Sequence, residues 1–474
     1  MDGSRSSDNR MAKPTINLLG TVLSVAGQLA VHITYGSRFS FFIDFPPGKV
    51  PEADSVFTSL TLTMGPVDYL FGACCFVPES NIYGFSGRLI FTEDVYDFKS
   101  LIYERKVVTL ETSFQNLSLI LAQREKVKLE FKEYAANLTY DLEVYRHFFD
   151  ELDGKYMDEP EHIHEVLQQT IINREGPNFM RFFDEKLLEL KALAKYHTRE
   201  ENENQGFYFR KQVWGFILCS EILTRTNLKP RGYAGDSEML NMVYQHGYRG
   251  KSTFSKLLHH HTVGIEAAQA VRNRRQLVAE AIRHEVRPAQ GPLRVMSVAC
   301  GSALELVDVF RSREDLEGYH FTLFDQDIQA LSEAGRNVER VEERLHGKVK
   351  VDYVNASVRT MARPRQPSSE LGQFDFIYAL GLFDYLTPPV AKAVIEKVYA
   401  LLNPGGKLVV GNYHVGNPDR CYMEYWMDWV LFYRTEEQFL GIAEDLPAAE
   451  KTIEFEGTRC QMFLVVRKPL PEAL

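Results

Sequence analysis

The 474-residue chain carries no excess of positive charge: 54 Lys and Arg stand against 64 Asp and Glu, a formal net charge of -10. That balance excludes a broad nucleic-acid face, which needs clustered cations against phosphate. Cysteine is scarce and unpaired, with six residues at 74, 75, 219, 300, 421 and 460 and no CxxC spacing. The adjacent Cys74 and Cys75 are poorly placed to share one metal ion, so neither a disulfide framework nor a structural zinc is expected. No apolar run reaches the roughly 18 residues that a membrane span requires. Residues 1–10 lack the apolar centre of a signal peptide, so a mobile tail over 1–14 and a cytoplasmic location are expected. A GxGxxG pyrophosphate loop is also missing.

What is present changes character three times. Over 15–110, strand formers alternate with turn signals, as in Ala30–Tyr35, Phe39–Phe45 ahead of Pro46-Pro47-Gly48, and Ser59–Met64 before Gly65-Pro66. Short strands at near-regular spacing predict a small all-β barrel or sandwich. From Glu111 apolar residues recur at three- and four-residue steps (Phe114, Leu117, Ile120 and Leu121, then Leu138, Leu142, Tyr145 and Phe149), which predicts a long amphipathic helix. Further helices are expected near 161–173, 178–197 and 207–227, the first two parted by Glu175-Gly176-Pro177, making a helical connector of 111–230. Beyond the tight loop Arg231–Asp236 come more helices, a linker at 288–292, and then alternating strands and helices, the pattern of a mostly parallel α/β sheet. The last region, 231–474, reads as one domain with an N-terminal helical cap.

Within it, four landmarks follow in order. Strand Val295–Ala299 delivers Cys300-Gly301-Ser302-Ala303, and a helix is expected from Leu304. Strand Phe321–Phe324 ends at Asp325, a carboxylate placed to accept from both hydroxyls of a ribose, with Asp327 capping the next helix. The third strand runs into Asn355-Ala356-Ser357, adenine ligands or plain turn formers. The fourth, Phe374–Leu380, enters Gly381, and Asn403-Pro404-Gly405-Gly406 turns into a fifth strand. The sparse glycine pattern suits a nucleotide without phosphates, and this together with the Pro-Gly-Gly turn disfavours a dehydrogenase. The series resembles class I methyltransferases. The resemblance implies a Rossmann-like α/β fold and S-adenosylmethionine as cofactor, held by Ala299, Cys300, Gly301, Ser302, Asp325, Gln326, Asn355, Ala356, Ser357, Leu380 and Gly381.

A closer likeness covers 230–474. Gly232–Tyr244, Ala268–Arg275, Asn412-Tyr413-His414 with Asn417-Pro418, and the run Met423–Phe439 resemble a bacterial family described as extracellular-factor, 3-hydroxypalmitic acid methyl ester biosynthesis proteins. This implies methylation of a fatty-acid carboxyl group, so a small lipophilic acid is the expected partner. The N-terminal strands resemble a degenerate PilZ domain, the cyclic-di-GMP receptor. Arg5 and Arg10 are one residue too far apart for its RxxxR segment and no [D/N]xSxxG turn follows, so cyclic-di-GMP binding is not expected.

A carboxylate acceptor needs no general base, whereas an alcohol or amine does. His414 and Asn412 stand just after the fifth strand as the catalytic candidates. They orient a carboxylate, or His414 deprotonates a hydroxyl, or the histidine merely satisfies a loop. Tyr233, Arg272, Trp426, Tyr433 and Arg434 are the candidate acceptor-binding residues. The aromatic stretch 422–433 equally suits ordinary core, and Arg434 equally suits a pair with Glu436 or Glu437. His259-His260-His261 point in different directions on a helix, so no metal is expected there. A protein or other small-molecule methyltransferase, an inactive regulatory binding protein and a homodimer all stay open.

Overall fold

The computed structural model describes residues 18–24, 27–36, 40–44, 51–64, 67–78, 86–92, 121, 124–285, 291–358 and 371–470. The tail 1–14, Arg5 and Arg10, and the helical expectation over 111–120 fall outside them. The chain divides into two compact units, 1–122 and 123–474.

The first unit is antiparallel throughout. Its strands are β1 (Leu18–Ser24), β2 (Gly27–Gly36), β3 (Ser40–Asp44), β4 (Val56–Phe57), β5 (Ser59–Met64), β6 (Val67–Phe71), β7 (Cys74–Pro78) and β8 (Ser86–Phe91). They form one sheet in the order β4-β7-β8-β3-β2-β1-β5-β6, whose end strands β4 and β6 do not pair with each other among the described residues. Alternate side chains enter the core, with Val31 and Ile33, Phe41 and Ile43, and Leu60 and Leu62 all buried, as a period of two demands. Phe41 meets Phe71 and Phe91 edge-on, each at 5.2 Å.

Early in the second unit come the helices α1 (Leu129–Gly154), α2 (Glu161–Ala194), α3 (Arg199–Gln212), α4 (Trp214–Ile217), α5 (Glu221–Leu228), α6 (Ser237–Gln245), α7 (Thr253–Gly264) and α8 (Glu266–Arg283). Two expectations are corrected here. The break at Gly176-Pro177 does not occur, and α2 runs unbroken through both residues. An interior proline costs about 3 kcal/mol, but burial of Ile172, Phe179 and Phe183 on the same face offsets it. Gly176 itself lets α7 approach, since a Cβ there would lie 3.1 Å from Leu257. Conversely, the single helix expected over 207–227 is three pieces, α3 to α5, interrupted at Val213 and again at 218–220.

The sheet that follows comprises β9 (Leu293–Val298), β10 (Tyr319–Asp325), β11 (Lys350–Asn355), β12 (Phe374–Ala379), β13 (Leu402–Tyr413), β14 (Glu450–Phe455) and β15 (Gln461–Arg467). The order is β11-β10-β9-β12-β13-β15-β14. The first five strands are mutually parallel, and β15 runs antiparallel to both β13 and β14. Between them lie α9 (Leu306–Val309), α10 (Asp315–Gly318), α11 (Ile328–Leu345), α12 (Pro388–Ala400), α13 (Arg420–Tyr425) and α14 (Glu436–Gly441). The helix expected from Leu304 is only the single turn α9. The strands β9, β10 and β12 are buried almost along their whole length, as parallel strands covered on both faces must be.

The helical half shares a core with the segment after β13. Phe131, Phe149, Phe183, Phe209, Met239, Leu257, Tyr413, Tyr422 and Trp426 belong to one hydrophobic cluster that joins α1–α8 to the segment after β13. No helix among the described residues is long and apolar enough to cross a membrane.

Candidate active site

The strand order reverses between β9 and β12, so their carboxyl ends open a crevice, the usual ligand position in such sheets. A cavity of about 890 Å³ lies there. Its floor is the turn after β9, where Ala299, Gly301 and Ala303 all take positive φ. Gly301 suits that conformation, and a Cβ on it would meet open space, so a ligand can lie directly over the backbone. Asn337 Nδ2 fixes the turn from α11 by donating to the Ser302 carbonyl.

Asp325 closes one side. Its Oδ2 accepts from Gly301 N–H at 2.9 Å and its Oδ1 from Asp327 N–H at 2.8 Å. Burial pushes its pKa up against those backbone donors. Gln326 N–H also faces the carboxylate, whose two oxygens together offer about four acceptor directions. Asn355 does not line the cavity; it donates to the Asp325 and Gln326 carbonyls and so shapes the next turn, where Gln326, Ala356 and Ser357 form the wall. Leu380 and Gly381 complete the floor from β12. Thus ten of the eleven residues expected to hold the cofactor line one cavity, Ala299, Cys300, Gly301, Ser302, Asp325, Gln326, Ala356, Ser357, Leu380 and Gly381. Burial raises the Cys300 thiol pKa, so it is no nucleophile at neutral pH.

The roof is the loop Arg231–Asp236. Asp236 is fully buried, caps α6 at Met239 N–H and accepts twice from Arg225. Arg231 reaches across to Asp327 and Glu333 of the opposite half, at 3.1 and 2.7 Å. Tyr233, an acceptor candidate, lies in the lining and meets Tyr385 edge-on at 6.5 Å.

The other acceptor candidates do not reach the cavity. Trp426 is fully buried between Phe183 and Phe209. Tyr433 packs under the Arg420 guanidinium and against Met423. Arg272 donates to the Val243 and Val263 carbonyls, tying α8 to the ends of α6 and α7. Arg434 is buried against Asn412 and the carbonyls of Phe383 and Leu386, and it pairs with neither Glu436 nor Glu437. Asn412 itself donates to the carbonyls of Tyr413 and Phe432. His414 uses both ring nitrogens, Nδ1 accepting from Gly416 N–H and Nε2 facing Glu436 at 3.1 Å. Of the three consecutive histidines, His259 is buried, His260 stacks on Tyr248 and His261 meets Asp184. Among the described residues no group of three or more His, Cys, Asp or Glu gathers as a metal site.

In their place stand residues that the sequence does not single out. Glu305 is buried and accepts from the Tyr378 hydroxyl at 2.7 Å, with its pKa raised by burial. Asp384 accepts from Tyr413 N–H through Oδ1, and burial pushes its pKa up to about 6. Tyr385 and Tyr244 complete the set, with Trp429 and Arg274, which the sequence offers only as members of the aromatic stretch 422–433 and of the arginine group 272–275. The one available signal was position: Asp384-Tyr385 lie in the loop after the fourth strand, just beyond Gly381.

A cofactor with a ribose, an adenine and a charged amino-acid arm fits these groups. Asp325 offers acceptors to the ribose, the open Gly301 turn gives passage, and the buried Nε of Arg274 lacks an acceptor. The fold and site define a doubly wound nucleotide site of the methyltransferase class. Residues 296–408 match the family model described as "Methyltransferase domain". The chain is an S-adenosylmethionine-dependent methyltransferase, with S-adenosylmethionine as its cofactor. No curated protein matches it significantly. Among solved structures it is similar to a possible exported protein from Bordetella parapertussis (17% identity, 49% of this chain and 79% of that one, TM-score 0.40). It is also similar to magnesium protoporphyrin IX methyltransferase from Synechocystis with bound S-adenosylmethionine (13%, 43% and 84%, 0.31). A third likeness is to an N-methyltransferase from Bradyrhizobium japonicum (14%, 42% and 96%, 0.29).

Proposed function

We propose that the enzyme methylates the carboxyl group of a lipophilic acid such as a 3-hydroxy fatty acid. The observation that carries this reading is the Tyr385 hydroxyl. Trp429 Nε1 donates to it at 2.8 Å, the Gly235 N–H also faces it, and burial raises its pKa. The phenol therefore keeps its proton and offers it to an anionic acceptor. Leu382, Leu386, Val390 and Val394 supply an apolar wall beside it. No histidine or lysine lines the cavity among the described residues, and a carboxylate nucleophile needs neither. S-adenosylmethionine supplies the electrophilic methyl group on its sulfonium. The chain's own contribution is alignment and exclusion of water, for which up to ~7–11 kcal/mol is available.

Asp384 favours a second reading. It lines the cavity, and a carboxyl group with a pKa of about 6 suits a general base for a hydroxyl or amine acceptor on another small molecule or a protein. Labelled S-adenosylmethionine with 3-hydroxypalmitic acid separates the two. Base-labile label in the organic phase supports the ester, whereas base-stable product or label confined to protein supports the second.

For the N-terminal unit we propose a PilZ-related packing or regulatory module. The run Val56–Met64 pairs with β7 through Val56 and Phe57 and with β1 through Ser59–Leu62, which supports a barrel-like closure.

A further inference from the structure

Helix α8 carries three arginines within four residues, and only one of them lacks an assigned task. Arg275 pairs with Asp308 through two nitrogens at 2.6 and 2.9 Å. Arg272 is engaged by helix-end carbonyls. Arg274 is 5% exposed and lines the cavity. Its Nη1 donates to the Leu380 carbonyl at 3.2 Å, the guanidinium faces the Tyr244 hydroxyl, and its Nε is buried without a partner. No ion-pair partner stands beside it among the described residues. A buried guanidinium in that condition is unfavourable unless an anion joins it.

The sheet order says which anion. With adenine at Ala356-Ser357 beyond β11 and ribose at Asp325 beyond β10, the remaining arm of the cofactor runs over the Gly301 turn of β9 towards Leu380-Gly381 at the end of β12. Arg274 waits there, its Nη2 only 3.3 Å from where a Cβ on Gly381 would be. The corner also suits a zwitterion: the Leu380 carbonyl is at hand for an ammonium, and the carboxyl groups of Glu305 and Asp384 act on Arg274 through space. An acceptor carboxylate alone would face those acids with no compensating cation of its own.

We propose that Arg274, contributed by the helical half and outside the matched methyltransferase segment, anchors the α-carboxylate of the methionine arm of S-adenosylmethionine. The assignment rests on the cofactor reading above. Calorimetry would compare S-adenosylmethionine, decarboxylated S-adenosylmethionine and methylthioadenosine on the wild type, Arg274→Gln and Arg274→Lys. The wild type should prefer the carboxylated ligand about 10- to 100-fold, the range of a charge-assisted hydrogen bond. In Arg274→Gln that preference should fall below about threefold while methylthioadenosine binds within about twofold of wild type, which also reports an intact site. Arg274→Lys should restore part of the preference. An undiminished preference in Arg274→Gln overturns the proposal, as does a wild type that does not discriminate, even should the variant not fold. Unchanged cofactor affinity with a raised KM for the acid acceptor overturns it too, by moving Arg274 to the acceptor. A wild type that binds none of the three ligands overturns the cofactor assignment itself, and the anchor with it.

Discussion

Asp325→Asn tests the ribose assignment most directly. The carboxylate is 6% exposed and each oxygen already takes a backbone N–H, from Gly301 and Asp327. An amide keeps one acceptor and turns an NH2 group towards the other donor. One buried N–H is then unsatisfied, which costs about 1–3 kcal/mol of stability. For the ligand, one charge-assisted hydrogen bond of about 2 kcal/mol is lost and the second falls to neutral strength, about 1 kcal/mol less. Together these weaken S-adenosylhomocysteine binding by about 3 kcal/mol, or about 100-fold. Titration calorimetry gives the affinity, and thermal melting without ligand gives the separate stability loss. Because burial raises the Asp325 pKa, wild-type affinity should fall on acidification while that of the variant should not. Affinity within about threefold of wild type, with the same pH profile, would refute the placement of the ribose on Asp325.

Three further outcomes are expected. Asp384 titrates at about 6 when folded against an ordinary 3.8, so the folded state binds its proton more tightly. The wild type should therefore lose up to about 3 kcal/mol of stability between about pH 4 and pH 6 through this group. Asp384→Asn retains the Oδ1 acceptor and should remove that slope; identical slopes in urea unfolding of the two proteins would count against the buried acid. Gly235→Ala places a Cβ 2.5 Å from the Tyr385 hydroxyl and 3.0 Å from the Trp429 ring, so it should displace Tyr385, cost about 1–3 kcal/mol and raise acceptor KM more than cofactor Kd. His414→Ala should leave kcat within about twofold, since the ring is held by Gly416 and Glu436 away from the cavity; a hundredfold loss would return it to the reaction.

The strand-end half of the cavity lining was legible because its residues sit where a strand-turn-helix rhythm fixes side-chain direction within one element. Asp325, Gly301 and Gly381 are of this kind. The acceptor half was not, because it depends on packing between distant elements. Arg272, Arg274 and Arg275 are indistinguishable by type, and a helix turns about 100° per residue, so only the docking of α8 decides which one enters the cavity. The aromatic run 422–433 is dense because it knits α2, α3 and α7 to the segment after β13. It therefore reads as a ligand box while serving as core. Only Trp429 of that run lines the cavity. Pro177 misled for a related reason: the helix around it is kept by contacts made over 70 residues away, at Leu257.

The tie that Arg231 makes to both Asp327 and Glu333 bears on how this enzyme can diversify. The loop that roofs the cavity, Tyr244 and Arg274 all precede the sheet in the chain, while Asp325, Ala356 and Ser357, the proposed seats of ribose and adenine, lie within it. Recombination near residue 290 would thus inherit the nucleotide seat whole and replace the roof and the arginine in one stroke. A new roof succeeds only where it brings its own counterpart to Asp327 and Glu333, since two acids facing an empty corner repel each other. Lineages that exchange acceptor preference this way should change the arginine and those acids as a set.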